Sequence, residues 1–228
     1  MIRGVIFDLD NTLTDFMRMK EESVDAAIEA MIDAGLTASR DDSKKKIYEI
    51  YAREGIEFQQ VFDHFLKDSL GEINYKMHAA AIVAYRRARE ASLILYPHVK
   101  YTLIELMKRG QRLAVLSDAP RQQAWLRLCT LGLHHMFDHV IAFEDTGTLK
   151  PSGEPFRELL TRMGMNPSEV LMVGDWPERD MVGATKVGIK TVFARYGDTK
   201  NTTHSGADFE VGDIIELLPI VDRLNAST

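Results

Sequence analysis

The sequence predicts an α/β fold: a doubly wound parallel sheet with helices on both faces and an all-helical insert early in the chain. Three observations carry that prediction. Five short runs rich in Val, Ile and Leu lack polar alternation, as strands buried on both faces do. Amphipathic segments of helical length separate them, in the strand, helix, strand order that builds parallel sheets. The interval from about residue 14 to 95 departs from that rhythm, with helical patterns but no convincing strand.

The elements follow in order. The strand runs are GVIF at 4–7, RLAVL at 112–116, HVIAF at 139–143, VLMV at 170–173 and KTVF at 190–193. The stretch 97–109 opens on Pro97 and stops at Gly110, the usual asymmetry of helix start and stop signals. Within the strand-free interval, helical periodicity covers 23–35, 44–55, 58–70 and 75–91. The expected division is therefore an α/β core of residues 1–14 and 95–228 and a helical insert of 15–94. The insert leaves the core directly after the first strand and rejoins it before Pro97, so it is expected to sit over the ends of the strands as a cap. Residues 196–206 (YGDTKNTTHSG) are polar and turn-rich and read as a surface loop, followed by a short helix near 213–224.

Each strand ends in something polar. The first ends in DLDNT, which sets Asp8 and Asp10 two residues apart. Residues at i and i+2 of a strand point to one side, so the two acids share a face. Like charges held together raise each other's pKa unless a cation lies between them. The pair therefore marks either an exposed strand end or a site built for a cation. The second strand ends in Ser117 and Asp118, the turn after the third carries Lys150 before Pro151, and the fourth ends in GDWPERD, with Asp175 and Asp180. Parallel strands bring their carboxyl ends to one edge, where ligands of open α/β sheets bind, so these distant residues are expected to converge.

The order DLDNT, SD, KP and GDxxxxD is similar to the four motifs of the haloacid dehalogenase-like (HAD) hydrolase superfamily, and the helical insert resembles that of its subfamily I phosphatases. The match covers nearly the whole chain. It implies a phosphatase that hydrolyses a small phosphorylated metabolite through an aspartyl-phosphate. Asp8 becomes the nucleophile, since an ionised aspartate attacks phosphorus without a general base. Asp10 becomes the acid that protonates the leaving oxygen and then the base that activates water. Ser117 and Lys150 supply donors and positive charge around the phosphoryl oxygens. The family places Mg²⁺ between the first aspartate, the backbone carbonyl of the second and the motif-four aspartate, here Asp8, Asp10 and Asp175. Mg²⁺ favours oxygen ligands from one or two carboxylates plus phosphate and water. Asp180 resembles the second acid of that motif, which orients Lys150 or a metal-bound water.

Asp10 argues against a dehalogenase, which normally lacks an acid there, and against a phosphonatase, which has a small residue there and an imine-forming lysine in its cap. A sugar-phosphate mutase shares every core residue and stays open, as does a non-catalytic phosphate- or metal-binding protein on the same scaffold. The chain also resembles an archaeal-type subgroup for which glyceraldehyde 3-phosphate and similar substrates are proposed. Specificity is assigned to the cap, at Glu57 and Phe58 in the connection REGIEF, because loops held by a rigid scaffold commonly carry it.

Composition narrows the partners. A net charge of −6, with no Lys/Arg cluster beyond Lys44 to Lys46, gives no footprint for nucleic acid. The longest apolar runs fall short of the roughly 18 residues needed to cross a bilayer, no leader pattern opens the chain, and one cysteine excludes an internal disulfide. These features point to a cytoplasmic protein; oligomeric state is not legible. Cys129 and the eleven methionines read as packing residues. Asp118 reads as the N-cap of a helix carrying 124–131. His134, His135 and His139 lack a Cys or close carboxylate to complete a tetrahedral set, so they read as solvated or capping side chains.

Overall fold

The computed structural model describes residues 1–226. Among the described residues the chain forms strand β1 (Gly4–Phe7), helices α1 (Phe16–Asp33), α2 (Arg40–Glu54), α3 (Val61–Leu70), α4 (Tyr75–Ser92) and α5 (Val99–Lys108), then β2 (Arg112–Leu116), α6 (Arg121–Thr130) and β3 (His139–Ile141). There follow α7 (Phe143–Thr146), α8 (Gly153–Met163), β4 (Val170–Gly174), α9 (Val182–Lys186), β5 (Lys190–Ala194), β6 (Phe209–Val211) and α10 (Leu217–Ala226). The chain divides into two compact units, Met1–Asp15 with Ile94–Thr228, and Phe16–Leu93.

The first unit is built on one parallel sheet of order β3-β2-β1-β4-β5-β6. Its runs are apolar throughout because both faces are covered. Val5, Phe7, Leu113, Val115, Leu171 and Val173 pack on one side with residues of α5 and α10. Ile6, Ala114, Leu116, Val170 and Met172 pack on the other with α8 and α9. Phe7 is in register with both Val115 and Val173, so the segments following β1, β2 and β4 emerge side by side at one edge of the sheet. The chain leaves and re-enters this unit through adjacent segments. Thr14 and Leu95 form an antiparallel bridge, reinforced by Tyr96 N–H to the Leu13 carbonyl at 3.1 Å and Thr14 Oγ1 to the Ile94 carbonyl at 2.6 Å.

The second unit is all-helical, as its periodicity predicts. Ile28, Met31, Ile47, Phe65 and Leu66 are fully buried in its core. Ser39 caps α2 by accepting the Asp42 N–H at 3.1 Å, and Asn74 caps α4 by accepting the N–H groups of Lys76 and Met77. Helix α1 begins at Phe16, seven residues before the expected 23. Its first turns look polar in sequence, yet Phe16, Met19 and Lys20 are buried, and the Lys20 ammonium lies 4.2 Å from the Tyr51 ring centroid and 5.5 Å from that of Tyr85.

Four local expectations are corrected. The third strand stops at Ile141, because Asp145 accepts the Ala142 N–H at 2.9 Å and starts the short α7. A sixth strand, β6, was not expected, since its three residues FEV are too short for periodicity to register. Helix α6 begins at Arg121 with Pro120 at its N-cap and no side-chain cap, so Asp118 does not cap it. Cys129 is exposed: the buried face of α6 runs through Ala124, Arg127 and Leu128, and Cys129 falls beside it. Among the described residues no helix is long and apolar enough to cross a membrane.

Candidate active site

The DLDNT segment leaves β1 and turns back at once. Asn11 takes φ +58°, its N–H donates to the Thr14 carbonyl at 2.8 Å, and Leu13 N–H reaches the Leu9 carbonyl at 3.0 Å. Asp8 stays at the sheet edge, its N–H bonded to the Val173 carbonyl at 2.9 Å and its side chain buried. Lys150, also buried, reaches it from the turn between α7 and α8. The ammonium donates to Asp8 Oδ1 at 2.5 Å, to Asp180 Oδ1 at 2.6 Å and to the Leu116 carbonyl at 3.2 Å. Asp175 follows β4 directly and accepts the Thr12 hydroxyl at 3.3 Å. Oxygens of Asp8, Asp175 and Asp180 lie within 4.8 Å of one another. Ser117 follows β2 at the same edge, buried, with its Oγ accepting the Ala119 N–H at 3.2 Å.

Three buried acids face one ammonium, and the electrostatics reflect it. Burial, opposed by Lys150, holds the Asp8 carboxyl well above its ordinary value, with Asp180, Asp175 and Asp10 raising it further. Burial and then the charge of Asp180 push Asp175 up to about 7. Burial acts to lower Lys150, but the carboxylates of Asp180, Asp8 and Asp118 outweigh it and hold the ammonium above its ordinary range. Three acids thus share one ammonium, and their oxygen-only donor set fits a hard divalent cation.

Glycine permits the close approaches. A Cβ at Gly174 would lie 2.4 Å from Asp180 Cγ, and one at Gly197 would lie 1.6 Å from the Asn11 carbonyl oxygen. The turn containing Gly197 thereby backs the DLDNT loop, and the Tyr196 hydroxyl donates to the Thr12 carbonyl at 2.8 Å.

A family model described as haloacid dehalogenase-like hydrolase matches residues 2–188. The chain belongs to that family. Along nearly its full length this haloacid dehalogenase-like hydrolase is 34% identical to the glyceraldehyde 3-phosphate phosphatase of Methanocaldococcus jannaschii, covering 98% of this chain and 99% of the relative. A crystal structure of a HAD phosphatase from Thermococcus onnurineus superposes with a TM-score of 0.72 at 25% identity, covering 96% of this chain and 98% of that one. The 2-haloacid dehalogenase of Pseudomonas syringae superposes at 0.68 with 22% identity, covering 98% and 99%, so the fold is shared across different chemistries.

The structure brings Asp8, Lys150, Asp175 and Asp180 of this hydrolase together and sets Ser117 at the same edge. Asp10 goes to a different cation: its Oδ2 accepts from Arg127 Nη1 at 2.8 Å, and Arg127 is 6% exposed. Arg127 escaped the sequence reading because an arginine in an amphipathic helix reads as solvated; its place on the buried face with Ala124 and Leu128 was the available signal. Asp118 accepts the Lys150 N–H at 2.9 Å and Arg179 Nη1 at 3.0 Å. The three histidines join no cluster of metal-ligating side chains among the described residues, and His139 Nε2 lies 3.1 Å from Arg112 Nη2. In the helical unit Phe58 is half-buried against that unit's core, edge-to-face with His64 at 4.9 Å, and the Glu57 carbonyl accepts from Gln59 Nε2 at 2.6 Å.

Proposed function

We propose that this hydrolase is a Mg²⁺-dependent phosphatase of small phosphorylated metabolites, with glyceraldehyde 3-phosphate as its substrate. The observation that carries the reading is the buried constellation in which Lys150 bridges Asp8 and Asp180 at 2.5 and 2.6 Å beside Asp175. The substrate follows the name of the M. jannaschii relative.

In the proposed reaction an Asp8 carboxylate oxygen attacks phosphorus in line with the ester oxygen. As that bond breaks, Asp10 gives its proton to the leaving oxygen, and an alcohol departs. Asp10, now ionised, takes a proton from water, whose oxygen attacks the aspartyl-phosphate and returns Asp8 and inorganic phosphate. Lys150 donates to the phosphoryl oxygens and offsets their charge, while Asp180 holds the ammonium in place and Ser117 Oγ–H supplies a further donor. Arg127 holds Asp10 at the sheet edge. Asp8, Asp175 and the main-chain oxygen of Asp10 are assigned as the residues that hold Mg²⁺, which when bound neutralises the acidic cluster and the phosphate charge. The helical unit is assigned the role of cap, with Glu57 and Phe58 selecting the substrate, and the protein is assigned to the cytoplasm.

Phosphate release from a panel of phosphorylated metabolites, glyceraldehyde 3-phosphate among them, tests the proposal. Activity is expected to vanish in EDTA and to return with Mg²⁺. Full activity in chelator refutes the metal assignment, and an isomerised phosphate ester without phosphate release refutes hydrolysis.

A further inference from the structure

Lys150 is held at both ends. Its ammonium donates to Asp180 Oδ1 at 2.6 Å, and its backbone N–H donates to Asp118 Oδ1 at 2.9 Å. Those two acids are joined through the residues between Asp175 and Asp180. Asp118 Oδ2 accepts from Arg179 Nη1 at 3.0 Å, and the Arg179 guanidinium lies over the Trp176 ring with Cζ 3.8 Å from its centroid. The Trp176 N–H in turn donates to Asp180 Oδ2 at 3.0 Å. The path closes on itself: Lys150 N–H, Asp118, Arg179, Trp176, Asp180, Lys150 Nζ. Lys200 covers Trp176 as well, with Nζ 4.0 Å from the ring centroid.

We propose that Asp118 and Arg179 are positioning residues for Lys150, forming with Trp176 a closed brace that sets where the ammonium meets the phosphoryl group. This rests on the reading of Lys150 as a catalytic cation. An ammonium on a four-carbon stem has several rotamers, and three donors directed at fixed acceptors suppress them only if the backbone at its root is fixed too. Asp118 fixes that root. Its two oxygens serve two different donors, and the guanidinium that balances its charge lies over an indole ring, an environment suited to arginine.

The experiment compares kcat and KM of the Mg²⁺-loaded protein for Asp118→Ala, Asp118→Asn, Arg179→Met and Lys150→Ala, with circular dichroism to establish folding. Misplacing a reacting group costs up to about 100-fold, so Asp118→Ala is expected to lower kcat about 10- to 100-fold while KM stays within about twofold. Asparagine retains one oxygen to accept the Lys150 N–H but loses the acceptor for Arg179, so Asp118→Asn is expected to recover part of that loss, to about the level of Arg179→Met. Arg179→Met is expected to lower kcat without moving KM, and it carries the test if Asp118→Ala does not fold. Unchanged kcat in folded Asp118→Ala or Arg179→Met, or a loss that asparagine leaves unrelieved, overturns the brace. Lys150→Ala separates the two levels: an active Lys150→Ala protein overturns the role of Lys150 itself, whereas an inactive one beside a normal Asp118→Ala overturns only the positioning.

Discussion

Replacing Asp175 with asparagine is expected to stabilise the chelator-treated protein while destroying its metal-dependent activity. In the folded state Asp175 titrates near 7 against an ordinary value of 3.8, chiefly from burial and then from Asp180. Between about pH 4 and pH 7 the native state therefore binds more protons than the unfolded chain, so wild-type stability falls as pH rises through that window. At about 1.4 kcal/mol per pH unit, the ionised side chain costs the fold about 4 kcal/mol once the pH exceeds 7. Asparagine removes that cost and keeps an oxygen for the Thr12 hydroxyl, so its advantage grows from near zero at pH 4 to a ceiling of about 4 kcal/mol at pH 8. At 2–4 °C per kcal/mol for a chain of this size, the melting temperature in EDTA rises by up to about 8–16 °C at pH 8. Thermal melts of both proteins in EDTA from pH 4.5 to 8, paired with phosphate release in Mg²⁺, measure the two effects. An Asp175→Asn protein no more stable than wild type at pH 8, or an advantage that shrinks with rising pH, refutes the reasoning.

Asp8→Asn is nearly isosteric and removes the proposed nucleophile, so phosphate release is expected to cease while circular dichroism and melting show an intact fold. Measurable turnover by that protein takes the role from Asp8. Asp10→Asn is expected to slow turnover about 10²- to 10⁴-fold, the usual worth of general acid–base catalysis, as read by steady-state kinetics. Glu57→Ala and Phe58→Ala, tested separately, are expected to reorder the substrate panel while p-nitrophenyl phosphate hydrolysis changes little. An unchanged ranking in both moves specificity elsewhere in the helical unit.

The sequence by itself determined the parallel α/β sheet, the helical interval and the acids at the strand ends, because each rests on local patterns. Strands buried on both faces are apolar throughout, amphipathic helices repeat every 3.6 residues, and the acids stand directly after apolar runs in the sequence. Tertiary structure alone decided which charges pair. Asp8 and Asp10 lie two residues apart, yet one meets Lys150 and the other Arg127, residues 142 and 117 positions away in the chain. Asp118, which sequence offers as a helix cap, is taken by the Lys150 N–H and Arg179 instead, since long-range partners outcompete a cap that Pro120 already displaces. The exposure of Cys129, the burial of Lys20 between two tyrosine rings and the three-residue β6 belong to the same class. Each depends on which face of an element its neighbours cover, and that is set by the register of strands and helices far apart in the chain.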